Sequence, residues 1–287
     1  MSTVYVRLAG GLGNQLYQLA AALHFSAGQS QDVAPLAGAL SRYNAARKPE
    51  SLRLLDNDWQ AIGSSAMARL VNLAVVDARA GRWLPLFGCN DTTFQRKVGN
   101  RAPAGHALLL DGYFQRDWNR ESFASAVSGF SMRPAAPSPV DPGECVVHVR
   151  GGDFLTLPLY DVTDLDYYVR AMSLASAAAW SRFAILSDDL VHAGRIKTQL
   201  EQRLTGISIR LLQSSDDSLA DFRLLRDASA RIIGNSTFAW WATALDARKG
   251  STWSPARMVR TEERDFFLDW ENAISTPHME RESSPKV

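Results

Sequence analysis

The apolar positions begin with a short β-rich run, Val4 to Leu8, which ends at Ala9-Gly10-Gly11-Leu12-Gly13. Beyond the glycines, Leu16, Leu19, Ala20 and Leu23 recur at helical spacing, so the chain opens as strand, glycine loop and helix. From about 30 to 105 turn residues interrupt short apolar runs; Met67 to Val76 reads as a further helix, and no chemistry is assigned to this stretch. Leu108 to Leu110 predicts a buried strand running into the polar loop Asp111-Gly112-Tyr113-Phe114-Gln115. Between 132 and 143 the prolines Pro134, Pro137, Pro139 and Pro142 leave no periodicity, the composition of a semi-rigid linker.

Past that linker the pattern becomes regular. Apolar runs at 145–149, 183–187, 207–212 and 231–234 alternate with helical segments near 164–179, 190–204, 218–229 and 237–248. Such alternation predicts a mostly parallel sheet flanked by helices, an α/β class. A polar cluster follows each run: Arg150-Gly151-Gly152-Asp153, Asp188-Asp189, Ser214-Ser215-Asp216-Asp217 and Asn235-Ser236-Thr237. In open α/β sheets ligands bind at that carboxyl edge, where strand ends and helix N-termini converge. The expected organisation is a first domain over 1–131, a linker over 132–143, a nucleotide-type ligand domain over 144–277 and a disordered polar tail over 278–287.

Composition narrows the function classes. At 287 residues, 46% apolar and 21% charged, the chain can bury two cores, and a net charge of +1 predicts no nucleic-acid or acidic-membrane footprint. The N-terminal residues lack a basic segment followed by an apolar one, and no stretch reaches the ~18 apolar residues of a spanning helix. Cys89 and Cys145 lie far apart, and Cys145 sits in an apolar run as a small buried thiol. A soluble, cytoplasmic protein without a transmembrane segment is expected.

Four segments carry candidate chemistry. Gly10 to Gln15 lacks the third glycine of a dinucleotide fingerprint, Leu16 standing in its place, which argues against a dehydrogenase. The segment is read either as a tight turn with Asn14 as helix N-cap or as a backbone approach to phosphate. Arg150, leaving a buried strand, offers a planar cationic fork suited to phosphate, against the alternative of a structural Arg150–Asp153 brace. His148 points away from Val147 and Val149, and an interior histidine and a ligand contact are equally open. One of Asp188 and Asp189 is read as an N-cap, leaving the other for a base or ribose; Asp216-Asp217 is read mainly as a cap. Asn235-Ser236-Thr237 opens a helix whose free N–H groups suit a pyrophosphate. No Cys or His cluster has metal-ligand spacing, so no metal is expected.

Taken in order, Gly10-Gly11-Leu12-Gly13-Asn14-Gln15-Leu16, Gly112-Tyr113-Phe114-Gln115, His148 to Asp153, and Asn235-Ser236-Thr237-Phe238-Ala239-Trp240-Trp241 resemble the bacterial α-1,2-fucosyltransferases of glycosyltransferase family 11. The resemblance implies a GT-B-type fold, two Rossmann-like domains facing a central cleft, with the acceptor on the N-terminal side and GDP-fucose on the C-terminal side. It implies inverting, metal-independent transfer of L-fucose to the 2-hydroxyl of a terminal galactose on an oligosaccharide or O-antigen-like glycolipid. Peripheral contact with a lipid-linked acceptor is compatible with it. Arg150 would bind the β-phosphate, Ser236 and Thr237 the diphosphate, with Asn235 in the same motif. His148 and Asp188 would contact guanosine, and Phe238 would pack near the base. Asn14 and Gln15 complete the substrate-binding set, and Asp153 is the candidate base beside Arg150. The alternatives are a GDP-sugar transferase of another linkage and a non-catalytic nucleotide-sugar-binding protein. The family pattern is H-x-R-R-G-D-Y, whereas this chain has Gly151 and Phe154 at the second Arg and the Tyr. If the missing cation served phosphate, Gly151→Arg is expected to tighten donor binding by on the order of 1 kcal/mol.

Overall fold

A computed structural model describes residues 3–27, 32–37, 48–59, 86–91, 94, 107–134, 140–213 and 217–275. The helix expected at 67–76, the middle of the proline-rich linker, Ser214 to Asp216 and the polar tail lie outside the described residues. The chain divides into two compact units, Met1–Pro134 and Ala135–Val287.

In the first unit, β1 (Thr3–Arg7), α1 (Leu12–Ser26), β2 (Asp32–Leu36), α2 (Glu50–Leu54), β3 (Leu86–Cys89), β4 (Ala107–Leu110) and α3 (Arg120–Ser128) follow in order. The strands form a parallel sheet in the order β2-β1-β4-β3, with Val4 beside both Val33 and Leu108. Crossover connections are required between parallel neighbours, and α1 supplies the first, burying Leu16, Leu19 and Ala20 completely. Its N-cap is Gly11, with no side-chain cap, because the helix begins directly at Leu12. Asn14, for which a cap was one of two readings, therefore stands inside the first turn.

The second unit contains β5 (Glu144–Val149), α4 (Leu165–Ala177), β6 (Arg182–Ser187), α5 (Leu190–Arg203), β7 (Ser208–Leu211), α6 (Ser218–Arg226), β8 (Ala230–Ile232), α7 (Thr237–Ala244), β9 (Ser251–Pro255) and β10 (Glu271–Ile274). Two short 3-10 turns, Gly152–Thr156 and Pro158–Tyr160, follow β5. Every pairing is parallel, in the order β10-β9-β8-β5-β6-β7. Renumbered from its own first strand, that order is 3-2-1-4-5-6, the Rossmann arrangement.

The central strand β5 is buried at all six positions, which is why its sequence is nearly continuously apolar rather than alternating. Cys145, Val147 and Val149 pack in one core with Tyr167, Tyr168, Ala171 and Met172 of α4 and Ala193, Ile196 and Leu200 of α5. Each such aliphatic side chain contributes about 1.5–3 kcal/mol by leaving water. Burial also pushes the Cys145 thiol well above the usual range, making it an inert packing group.

A charge is buried in the same sheet. Arg231 of β8 is fully buried; its guanidinium donates to Asp246 at 2.5 Å and to the Ala228 carbonyl at 2.6 Å. Asp246 also accepts from Gly250 N at 2.8 Å and Arg248 N at 2.9 Å. Burial alone would raise its pKa, but the Arg231 hydrogen bond and charge hold it below the usual carboxylate range.

Candidate active site

In a 3-2-1-4-5-6 sheet the chain winds away from the first strand in both directions, so the crossovers part between strands one and four and leave a crevice at their carboxyl ends. Here those strands are β5 and β8. The segment Arg150 to Asp153 leaves β5, and Gly234-Asn235-Ser236 leaves β8, so two of the four polar clusters meet at the switch point. Tyrosines of α4 tie both strand ends down: Tyr168 Oη donates to the His148 carbonyl at 3.2 Å and Tyr167 Oη to the Ile233 carbonyl at 2.6 Å. Burial raises both phenol pKa values, so these hydroxyls remain donors at physiological pH.

Arg150 is 26% exposed and its guanidinium donates to the carboxylate of Asp188. The other Asp188 oxygen accepts from Gly151 N at 2.9 Å. The brace on Arg150 seen here thus comes from Asp188, across the sheet. The reason is register: Val149 of β5 lies beside Ser187 of β6, so the next residues along each strand emerge as neighbours. The Arg150 guanidinium also lies 5.0 Å from the Phe154 ring centroid, and Phe154 stacks on Tyr160 at 4.4 Å. Asp188 is spent on holding Arg150 and its loop. Asp189 is the N-cap of α5, accepting from His192 N at 2.9 Å, and that bond is the main cause of its lowered pKa.

Asn235 has its side chain engaged on three sides. Its amide donates to the carbonyls of Tyr160 at 2.8 Å and Met258 at 3.0 Å and accepts from Thr163 Oγ1 at 3.0 Å. It therefore ties the loop after β8 to the Phe154–Tyr160 stack that shelters Arg150. Ser236 occupies the N-cap of α7 but makes no side-chain cap hydrogen bond, so it leaves first-turn N–H groups of that helix to other partners. Thr237 is the first helical residue. A guanidinium and a helix N-terminus at one sheet edge bring together the full and partial positive charges that could hold an anion.

His148 is 5% exposed and its Nδ1 is buried without a hydrogen-bond partner. Its ring stacks against Phe238 at 6.0 Å, and Phe238 meets Phe222 edge-on at 5.3 Å. Burial lowers its pKa to about 4, with the nearby Arg150 charge adding to this and Asp188 opposing it. The imidazole is neutral at physiological pH. Asp153 lies in the 3-10 turn after β5, but its side chain is outside the described residues. Among the described residues no group of three His, Cys, Asp or Glu side chains could hold a metal ion, and no helix is long and apolar enough to cross a membrane.

In the first unit the loops after β1 and β4 also meet at a carboxyl edge. Arg7 and Asp111 pair at 3.2 Å across it. Gln18 of α1, fully buried, accepts from Ala9 N at 2.9 Å and donates to the Gly112 carbonyl at 3.0 Å, binding the two loops together. Gln15 is also fully buried: it donates to the carbonyls of Gly10 and Lys48 and accepts from Ser51 N and Oγ. With its amide satisfied inside the fold, Gln15, expected among the substrate contacts, braces the glycine loop. Asn14 accepts from Gln115 Nε2 at 2.8 Å. Sequence reasoning missed Gln18, Tyr167 and Tyr168, whose roles depend on carbonyls far away in the chain.

Two parallel α/β units of Rossmann type place the chain in the GT-B fold class. The sequence profile of glycosyl transferase family 11 matches residues 111–272, and the chain belongs to that family. A curated relative, the alpha-1,2-colitosyltransferase of Escherichia coli, is 23% identical over 291 residues, 93% of this chain and 96% of its own length. Among solved structures, the fucosyltransferase NodZ from Bradyrhizobium is similar with a TM-score of 0.51 at 12% identity, covering 85% of this chain and 93% of NodZ. A mutant of Arabidopsis thaliana FUT1 in complex with GDP gives a TM-score of 0.51 at 12% identity, over 88% of this chain and 70% of its own. The protein is a glycosyltransferase.

Proposed function

We propose that the protein transfers L-fucose from GDP-fucose to the 2-hydroxyl of a terminal galactose, with inversion and without a metal. The observation that carries this reading is the juxtaposition of Arg150 with the N-terminus of α7 at the switch point of a family 11 fold. The relative named alpha-1,2-colitosyltransferase supports the linkage, and the GDP bound to FUT1 supports the nucleotide.

The acceptor oxygen attacks C1 of the sugar while the bond from C1 to the β-phosphate oxygen breaks; GDP leaves with the electron pair and the hydroxyl proton passes to a base. Arg150 and the first-turn N–H groups of α7, with Ser236 and Thr237, offset the charge that grows on the diphosphate. Because they are held before the reaction starts, they stabilise the transition state without reorganising. Asp188 and Phe154 fix the guanidinium in place. His148, neutral, and Phe238 line the guanosine side. Asp153 is the proposed base, on the loop that follows Arg150.

The relative's name favours one second reading, in which the donor sugar is colitose. One experiment separates the two. The purified protein is incubated with GDP-fucose or GDP-colitose, lactose and a panel of galactosides, with and without EDTA, and the product linkage is read by NMR. Fucosylation at the galactose 2-hydroxyl, unaffected by EDTA, is expected. Transfer from GDP-colitose alone establishes the second reading; another linkage, or activity restored only by a divalent ion, contradicts the first.

A further inference from the structure

The loop after β5 is poor in positive charge for a site that would hold a diphosphate. Each phosphate of a sugar diphosphate carries negative charge, yet Arg150 is the one basic residue between Val149 and Arg170. Its guanidinium already donates to Asp188. Gly151, which stands where the family pattern has a second arginine, has no room for one: a Cβ there would lie 2.4 Å from the Cβ of Asp189. A second guanidinium reaches the same sheet edge from β9. That strand lies beside β8, and Arg257 follows its last residue, Pro255, by two positions. Hydrogen bonds fix where the segment runs. The Met258 carbonyl accepts from Asn235 Nδ2 at 3.0 Å, and Asn235 immediately precedes Ser236, the N-cap of α7. Arg260 N donates to the Leu159 carbonyl at 3.0 Å, and the next carbonyl, that of Tyr160, accepts from the same Asn235 amide at 2.8 Å. The Arg257 guanidinium donates to the Arg260 carbonyl at 3.0 Å. It therefore belongs to a segment pinned both to the turn that opens α7 and to the turn whose Tyr160 ring stacks on Phe154, the ring that carries Arg150.

We infer that Arg257 is a second phosphate-binding cation, holding the donor diphosphate from the β9 side while Arg150 holds it from the β5 side. The Arg257 side chain is 14% exposed, so its charge is screened less by salt than one in open water. The Glu263 carboxylate lies 3.7 Å from it and is 80% exposed, and a pair of that kind contributes little. A phosphate offers the guanidinium two parallel charged hydrogen bonds, so Arg257 exchanges Glu263 for the diphosphate when the donor binds. Asn235 makes the arrangement rigid, since one amide fixes the Arg257 segment, the Tyr160 turn and the start of α7. The cation is thus in place before charge develops on the leaving group.

This inference rests on the nucleotide-sugar reading above, and its test reads binding separately from turnover. Calorimetric titrations with GDP, UDP and guanosine are run on the parent, Arg257→Gln, Arg257→Lys and Glu263→Gln, each with its melting temperature. Guanosine keeps the base and ribose and lacks the phosphates. Arg257→Gln is expected to weaken GDP binding at least about tenfold, the lower end for a charged hydrogen bond, and to leave guanosine within about twofold. Arg257→Lys should recover part of the loss. Glu263→Gln removes the competing carboxylate and should bind GDP as tightly as the parent or more so. A parent that binds UDP rather than GDP, with the same dependence on Arg257, sinks the guanosine reading and supports the cation. GDP binding in Arg257→Gln within about twofold of the parent, an equal loss for guanosine, or a parent that binds neither diphosphate overturns the inference. Where Arg257→Gln fails to fold, an unchanged ratio of GDP to guanosine affinity in Arg257→Lys overturns it instead.

Discussion

Restoring the family's second arginine by Gly151→Arg is expected to damage the site, contrary to what the motif alone implies. A Cβ on Gly151 would sit 2.4 Å from the Cβ of Asp189 and 3.3 Å from its Cγ. Asp189 cannot swing aside: its carboxylate caps α5 through His192 N, and its own N–H donates to Ser187 Oγ at 3.0 Å. Relief requires moving either the helix end or the Arg150 loop. Overpacking of this kind costs about 1–3 kcal/mol, and losing the cap adds about 1 kcal/mol, so a destabilisation of about 2–4 kcal/mol follows. The new guanidinium would contribute about 1.5–3 kcal/mol to phosphate binding only if the loop kept its shape. Urea unfolding and calorimetric titration with GDP should be run on the parent, Gly151→Ala and Gly151→Arg. The alanine variant should share the stability loss, and the arginine variant should bind GDP no tighter than the parent. Two variants within about 0.5 kcal/mol of the parent in stability, with Gly151→Arg binding GDP about tenfold tighter, would refute the steric argument.

Two further outcomes follow from buried charge. Asp246→Ala leaves the Arg231 guanidinium buried without its counter-ion, so urea unfolding should show a loss of about 3–5 kcal/mol, and a loss under about 1 kcal/mol would contradict the pairing. His148 has its pKa lowered from 6.5 to about 4, so the unfolded chain takes up a proton first as pH falls; its contribution is intact above pH 6.5 and about 3 kcal/mol is lost by pH 4. His148→Gln should remove that part of the acid-dependent slope in urea midpoints, and an unchanged slope would mean the histidine titrates normally in the fold.

Much of the second unit was legible because a parallel sheet buried on both faces demands unbroken apolar runs, and those at 145–149 and 183–187 became β5 and β6 almost to the residue. The strands β9 and β10 escaped notice for the opposite reason. Ser-Thr-Trp-Ser-Pro and Glu-Asn-Ala-Ile look like loop, yet Thr252 and Ser254 are fully buried and the Glu271 carboxylate is held by Arg264 at 3.0 Å. The polar clusters at strand ends were visible, but their pairings were not. For Arg150 strand register delivers Asp188, 38 residues away, a partner that nothing in the local sequence announces. In the same way Asn235, Gln15 and Asp188 carry the residue types of ligand contacts, and the fold uses their hydrogen bonds to hold loops. Side-chain chemistry is written in the sequence; which partner consumes it depends on topology.

Stabilisation of the departing diphosphate by Arg150 is measured most directly by kcat/KM for GDP-fucose in Arg150→Ala and Arg150→Lys. Loss of a preorganised donor of this kind costs roughly 3–4 kcal/mol in the transition state, on the order of a hundred- to a thousandfold in rate. Lysine retains the charge without the planar fork and should recover only part of that. Thermal melting must accompany the kinetics, because both changes also break the pair with Asp188. A folded Arg150→Ala enzyme slowed by two to three orders of magnitude is the predicted result. A folded one that turns over GDP-fucose within about threefold of the parent, under about 1 kcal/mol, would show that Arg150 only braces its loop.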